Sequence, residues 1–325
     1  MTESAPHYPT RARLSLGIGV LGAGAAAVWA WFRSDMRAAL ARLDARSRLV
    51  NTPHGPVELA EAGTGRPVLV VHGTAGGFDQ GMRLGRGLLG NDFRIIAPSR
   101  GGYLRTPMPA HASHATDADT LASLLDVLEV PRAVVMAVSA GAQPATQLAL
   151  RHPQRVEALV LITPALHLPP KDGAPVASGP PAFVLDHVLA SDLLFWAVTR
   201  LMPNVLVRIA GVPPALLGQL TRGMRKEIVD GFVPASARHV GLAYDIRTST
   251  PIAPDLPIEQ LQMPLMLVGS ADDPYKTADV VRYSARRVPT ATAIILESGG
   301  HALIGQQDRV GQEVRRFLRA QVPVA

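Results

Sequence analysis

The sequence predicts an α/β protein: a mostly parallel eight-stranded sheet with helices on both faces and a helical insertion above one edge. Three observations carry this. Short apolar runs alternate with segments of helical period, the signature of strands buried on both faces. One long stretch, Pro164 to Pro257, interrupts that rhythm with apolar helical pieces and no clear strand. A serine flanked by small residues, Ala137-Val138-Ser139-Ala140-Gly141, stands where an apolar run gives way to a helical pattern.

The elements follow in order. Leu14 to Phe32 is uncharged and mostly apolar, flanked by Arg11 and Arg13 before and Arg33 and Arg37 after. That length suits a bilayer core, and Trp29, Trp31 and Phe32 resemble an interfacial aromatic belt. The expectation is a single N-terminal membrane anchor at 14–32, with a cleaved export signal as the alternative and a helix buried against the globular domain as the third reading. The arginines from Arg33 to Arg48 outweigh Arg11 and Arg13, which argues weakly for a cytoplasmic catalytic domain and leaves the side open. A polar, helix-prone linker, Ser34 to Arg46, closes an N-terminal segment of 1–46, and residues 47–325 form the folded domain. Arg48–Asn51 and Val57–Glu61 flank the turn His54-Gly55-Pro56 and read as a hairpin.

Further strands are expected at Val68–Val71, Arg94–Ala97, Ala133–Val138, Leu159–Ile162, Leu265–Val268 and Ala293–Leu296. Helices are expected near Gly81–Leu89, Ala115–Leu128, Ala140–Arg151 and Thr277–Arg287, and from about Arg309 to Ala320. A structureless loop as long as 165–257 would be implausible. Its apolar pieces Phe183–Leu189, Leu193–Leu201 and Val205–Ile209 therefore read as a helical lid over the carboxyl edge of the sheet.

Composition narrows the function. Apolar residues make up 47% of the 325 residues, ample for a core, and the formal charge is only +6. The arginines are dispersed and not interleaved with aromatics, which argues against a nucleic-acid surface. With no cysteine, disulfides, thiolate metal sites and a cysteine nucleophile are excluded. The ten histidines form no H-E-x-x-H pair, so neither metal nor cofactor is expected. The glycine-rich loop Gly73-Thr74-Ala75-Gly76-Gly77 lacks the spacing of either phosphate-binding glycine motif.

What remains is nucleophilic chemistry. A serine on a sharp strand-to-helix turn is a nucleophile elbow, whose strained turn demands small residues on either side. Ala137 departs from the usual glycine, and Gly141 keeps it. A serine hydroxyl needs a base within reach, and His301, in Glu297-Ser298-Gly299-Gly300-His301 just past the last strand, is the best placed of the histidines. Loops at the carboxyl ends of parallel strands converge on one crevice. The base needs a carboxylate to hold its tautomer. Asp272 and Asp273, after the strand Leu265–Val268, both qualify. Asp272 has the usual spacing from Gly269 and is the expected acid, with Asp273 assigned to the turn before Pro274. The oxyanion needs donors: the amides of Ala140 and of Thr74, with Ala75 as the alternative to Thr74. Gly73 of the same loop, and Phe195 and Trp196 of the lid, are the expected substrate contacts. His72, on the strand side of its loop, reads as structural.

These pieces, in the order Ser139, Asp272, His301, resemble the α/β-hydrolase fold superfamily across roughly Arg48 to Ala320. The stretches Pro98-Ser99-Arg100-Gly101-Gly102-Tyr103 and Leu150-Arg151-His152-Pro153 are similar to loops of that family. The resemblance implies a serine hydrolase cleaving a small-molecule apolar carboxylic ester through an acyl-enzyme. The same residues leave open perhydrolase-like, amide or carbon–carbon cleavage, and a non-catalytic binding protein on this fold. A serine at the elbow argues against the relatives that place aspartate there.

Overall fold

The computed structural model describes residues 11–169, 187, 189–249 and 253–321; the side chains of 11–22 and of 249 lie outside that description. Helix α1 spans Arg11–Asp44. Strands β1 (Arg48–Thr52), β2 (Gly55–Ala62) and β3 (Arg66–Val71) lead to α2 (Phe78–Leu89), β4 (Phe93–Pro98) and α3 (His114–Val127). Next come β5 (Ala133–Val138), a 3-10 turn at Ser139–Gly141, α4 (Ala142–Arg151) and β6 (Val156–Ile162). After the lid helices α5 (Asp192–Leu201), α6 (Pro203–Ile209), α7 (Arg222–Asp230) and α8 (His239–Ser249), the chain returns through β7 (Leu265–Ser270), α9 (Thr277–Arg287), β8 (Thr292–Leu296) and α10 (Gln307–Gln321).

The sheet order is β1-β2-β4-β3-β5-β6-β7-β8. β1 and β2 form the expected hairpin, and β2 runs antiparallel to β4. The neighbours from β4 to β8 are all parallel. All eight expected strands are present, seven with both ends within two residues of expectation; β6 begins three residues earlier than expected, at Val156.

Strand residues alternate between two cores, as the two-residue period requires. Leu69, Val71, Val135, Leu159, Leu161 and Leu267 face α3, α4 and α9. Val68, Val70, Val134, Met136, Val160 and Val268 face α2, α10 and the end of α1 at Leu43. Burying both faces is why the strands read as continuous apolar runs.

The lid has its own core of Phe195, Leu206, Val207, Val212, Leu216 and Val229, closed from below by Ile304 beside the last strand's loop. The expected helices at Leu193–Leu201 and Val205–Ile209 appear as α5 and α6. The expected helix at Phe183–Leu189 lies almost wholly outside the described residues. No strand appears in the insertion among the described residues.

The N-terminal region departs from expectation. Ser34–Asp44 is not a separate linker but continues α1, with Ala45 and Arg46 in the turn that follows. Phe32, Met36, Ala39 and Leu43 are buried, so this part of α1 presents an apolar stripe to the domain. No helix is long and apolar enough to cross a membrane among the described residues. Within the expected span at 14–32, the side chains of 14–22 lie outside the description.

Candidate active site

The elbow is built by backbone geometry. β5 delivers Ser139 with φ 52°, the left-handed region that side chains rarely adopt. Such a residue costs on the order of 1–3 kcal/mol and persists only where its surroundings enforce it. Here they do. A Cβ at Gly141 would come within 2.4 Å of the His72 carbonyl and 2.7 Å of that of Val71, so only glycine lets the turn close against β3. At position 137 the alanine methyl is fully buried in the sheet core, and the departure from glycine is absorbed there.

The loop after β3 lies directly against the serine. A Cβ on Gly73 would meet Ser139 Cβ at 2.9 Å and the Val138 carbonyl at 3.0 Å. Gly73 thus acts by permitting close approach. The Ala75 amide donates to the Tyr103 hydroxyl at 3.2 Å, whereas the Thr74 amide has no hydrogen-bond partner among the described residues. Of the two candidates, Thr74 is the one left available. The Ala140 amide opens the 3-10 turn, where helix-terminal amides have no intrahelical partner.

His301 sits on Gly300, itself at φ 60°, with its amide donating to the Gly211 carbonyl of the lid at 2.9 Å. Its Nδ1 lies 2.8 Å from Asp273 Oδ2. This corrects the expected acid: the carboxylate on the imidazole belongs to Asp273, not Asp272. Asp273 is buried and takes further bonds from the Tyr275 amide (2.9 Å) and the Thr277 hydroxyl (2.6 Å). A carboxylate only accepts, so His301 donates from Nδ1, and in the neutral ring of that tautomer Nε2 holds the lone pair.

Asp272 turns the other way. Its Oδ1 takes the Ser270 hydroxyl (2.6 Å) and the Gly300 amide (2.8 Å), and its Oδ2 the Gly299 amide (3.2 Å). Burial raises its pKa, but the Ser270 hydroxyl and the two glycine amides outweigh it and leave the carboxyl below its ordinary range. Asp272 therefore shapes the loop that carries the histidine, and Asp273 touches the ring.

Thr163, which sequence reasoning missed, joins the two halves. It lies just past β6 at φ 40°. Its hydroxyl donates to the His301 carbonyl at 3.3 Å, and two residues on the Ala165 amide donates to the Ser139 carbonyl at 3.0 Å. The ring edge of Tyr275 packs on His301 at 5.0 Å. No hydrogen bond joins Ser139 Oγ to the imidazole among the described residues; catalytic bonds of this kind often tighten only with substrate bound.

His72 is structural, as expected. The Arg100 amide donates to its Nε2 at 2.9 Å, so Nδ1 must carry the proton, which it gives to the Gly73 carbonyl at 2.7 Å. Complete burial, reinforced by the Arg100 charge, pushes its pKa well below the ordinary histidine value, and the ring stays neutral.

The two lid aromatics are not at the site. Phe195 is buried in the lid's own core, with Phe232 at 6.5 Å. Trp196 faces α1: its ring meets Trp31 at 5.1 Å and Phe32 at 5.7 Å, and its Nε1 donates to Asp35 at 2.8 Å. Arg200, one turn on, pairs with the same carboxylate. Adjacent helix positions point about 100° apart, so an apolar pair on one helix serves two different interfaces. No cluster of metal-ligating side chains occurs among the described residues.

A strained serine on a strand-to-helix turn, a histidine–aspartate pair on the neighbouring loops and unpaired amides beside the serine form a candidate nucleophilic site on an α/β scaffold. Residues 66–198 match the family described as alpha/beta hydrolase fold. The chain is 35% identical over 108 residues to 2-hydroxymuconate semialdehyde hydrolase of Pseudomonas sp. (strain CF600), a stretch covering 32% of this chain and 38% of that relative. Its fold superposes on an alpha/beta hydrolase fold protein from Nakamurella multipartita with a TM-score of 0.67 at 25% identity, covering 84% of this chain and 99% of the other. It also superposes on a thermophilic esterase from Thermogutta terrifontis with a TM-score of 0.62 at 22% identity, covering 85% and 98%. The described domain has the α/β-hydrolase fold, and the match to that family covers residues 66–198.

Proposed function

We propose that the protein hydrolyses a carboxylic ester with an apolar acyl or alcohol group through an acyl-enzyme at Ser139. The observation that carries this reading is the His301–Asp273 pair at 2.8 Å on the loops beside the strained serine. Nε2 of His301 takes the Ser139 proton as Oγ attacks the carbonyl, and Asp273 holds the imidazolium that forms. The Thr74 and Ala140 amides receive the developing oxyanion. The same imidazole then gives its proton to the leaving alcohol and activates the water that releases the acid. Tyr103 occupies Ala75, which supports Thr74 as the second donor.

The apolar preference is supported by the surface around the lid. Leu194, Leu201, Met202 and Val205 are exposed on α5, α6 and the turn between them, and Trp29 and Trp31 are exposed on α1. The uncharged run at 14–32 supports membrane association, which would bring such a surface to lipid-like esters. A second reading is cleavage of a carbon–carbon bond on the same residues, favoured by the relative named as a semialdehyde hydrolase.

The test is labelling by a fluorophosphonate together with turnover of a p-nitrophenyl ester series, comparing wild type with Ser139→Ala. Both signals are expected in wild type and absent in the variant. A folded wild type that neither labels nor turns over any ester would overturn the reading. A strong preference for 2-hydroxymuconate semialdehyde over every ester would favour the second.

A further inference from the structure

The motif Ser99-Arg100-Gly101-Gly102-Tyr103 has no direct part in the chemistry above, yet it supplies a deeply buried polar network. Tyr103 has no exposed surface, and its hydroxyl is fully committed. It donates to Asp245 Oδ2 at 2.6 Å and accepts the Ala75 amide at 3.2 Å. A hydroxyl has one proton, so these two bonds fix its direction: an anionic acceptor on the lid side, an amide donor on the loop side.

Asp245 belongs to lid helix α8, and its side chain is completely buried. It is held by Arg100 through both carboxylate oxygens, with Nη1 to Oδ1 at 2.9 Å. Arg100 reaches back to the same loop from the other end. Its amide donates to the His72 ring at 2.9 Å and its Nε to the His72 carbonyl at 3.1 Å. The loop is thus gripped at His72 and at Ala75, and the free amide of Thr74 lies between the two grips.

Shape locks the arrangement. A Cβ at Gly241, on the first turn of α8, would fall 2.3 Å from the Tyr103 ring carbons, so the helix backbone lies on the ring. The Gly241 amide donates to the Gly102 carbonyl at 2.9 Å, and the Leu104 amide to the Ala237 carbonyl at 2.6 Å. Arg238, also buried, donates to the Gly76 carbonyl and to Asp79 Oδ2 at 2.8 Å. The lid segment around α8 is therefore the floor on which the loop rests.

We propose that Tyr103, held by Asp245 and Arg100, is a positioning residue that sets the Thr74 amide, so that lid helix α8 forms part of the scaffold of the oxyanion hole. This rests on the acyl-transfer reading above. It touches neither substrate nor the reacting atoms; it acts through Ala75. A phenylalanine at 103 would fill the same volume but leave the Ala75 amide unpaired and free to turn, and with it the neighbouring Thr74 amide. Losing an oxyanion donor outright costs about 10²–10³-fold in rate; loosening one is expected to cost about 10–100-fold.

The experiment compares wild type, Tyr103→Phe and Asp245→Asn on p-nitrophenyl butyrate, with kcat expressed per active site titrated by a fluorophosphonate. The inhibition constant of an alkyl trifluoromethyl ketone is measured alongside, since its hemiketal oxyanion reads the hole directly. The expected result for both variants is kcat down by about 10–100-fold with KM changed less than about threefold. Ketone affinity should fall in proportion to kcat/KM, and the pH profile of kcat/KM should keep the wild-type apparent pKa.

A merely structural role would lower the number of titratable sites while leaving kcat per site and ketone affinity unchanged, and that result would overturn the proposal. So would Tyr103→Phe matching wild type in both readouts while Ser139→Ala is dead. A wild type inert to ester and probe alike would instead overturn the acyl-transfer reading, and this proposal with it.

Discussion

Asp272→Asn and Asp273→Asn are the same chemical change on adjacent residues, and the structure expects opposite consequences. In Asp273→Asn, the side-chain carbonyl can still accept the Tyr275 amide, but the NH2 then takes the place of Oδ2. It would face the His301 Nδ1 proton at 2.8 Å, donor against donor. The Thr277 hydroxyl can rotate to accept; the imidazole can relieve the clash only by moving its proton to Nε2. The lone pair that should receive the serine proton is then lost. In serine proteases, whose triad is the template here, that tautomer change costs about 10⁴ in kcat. The expected loss is about 10³–10⁴-fold, or about 4–5 kcal/mol of barrier, with KM little changed.

Asp272→Asn leaves the His301 contact untouched. It keeps the acceptor for the Ser270 hydroxyl and the Gly300 amide but presents a donor to the Gly299 amide. The expected cost is about 1–3 kcal/mol of stability and less than about tenfold in kcat. The assay is kcat and KM on a soluble ester, with a urea melt of each variant. If Asp272→Asn loses the greater activity while folded, the assignment of the acid to Asp273 is wrong.

Two further outcomes follow from buried groups. Trp196→Ala removes the ring that α1 packs on and the donor to Asp35; we expect faster tryptic cleavage at Arg33 and Arg37, with kcat/KM for a short soluble ester within about threefold of wild type. A tenfold rise in KM with α1 still docked would instead restore Trp196 as a substrate contact. Asp117, in α3 behind the network, is pushed up from 3.8 to about 6 by burial, with Arg100 opposing and Asp245 reinforcing. A folded-state pKa above the unfolded one means stability is lost as pH rises through that window, on the order of 3 kcal/mol above pH 6. Asp117→Asn should therefore gain relative to wild type in urea melts at pH 8, and the gain should shrink toward pH 4; a difference constant with pH would refute this. His114 beside it, held down to about 4 by burial first and Arg100 next, titrates in both proteins and cancels in the comparison.

Much of this was legible in the residues. Strands buried in the sheet must be continuous apolar runs, so the six from β3 to β8 could be read directly, while β1 and β2 were read from the turn between them. The elbow could be read because its strained turn tolerates only small neighbours, and the histidine because glycines precede it at the end of a strand. The helices α7 and α8 were less legible: each is short, and α8 carries its functional side chains on a face buried by polar contacts, not by an apolar stripe. Arg100 and Tyr103 were visible as a motif, but nothing local indicates that their partner stands at Asp245, far along the chain.

The sequence by itself determined the class of fold and singled out the candidate nucleophile, the candidate base and the loop proposed to supply the oxyanion amides, because each follows from local spacing and backbone limits. Only the tertiary structure decided which of two adjacent carboxylates meets the imidazole, which loop amide stays free, and that Trp196 serves α1. Those depend on which groups from distant segments arrive first at a given polar atom: the Ser270, Gly299 and Gly300 donors take Asp272, the Tyr103 hydroxyl takes Ala75, and Asp35 takes the indole. Buried donors and acceptors are paired wherever the fold allows, and spacing along the chain does not record by whom.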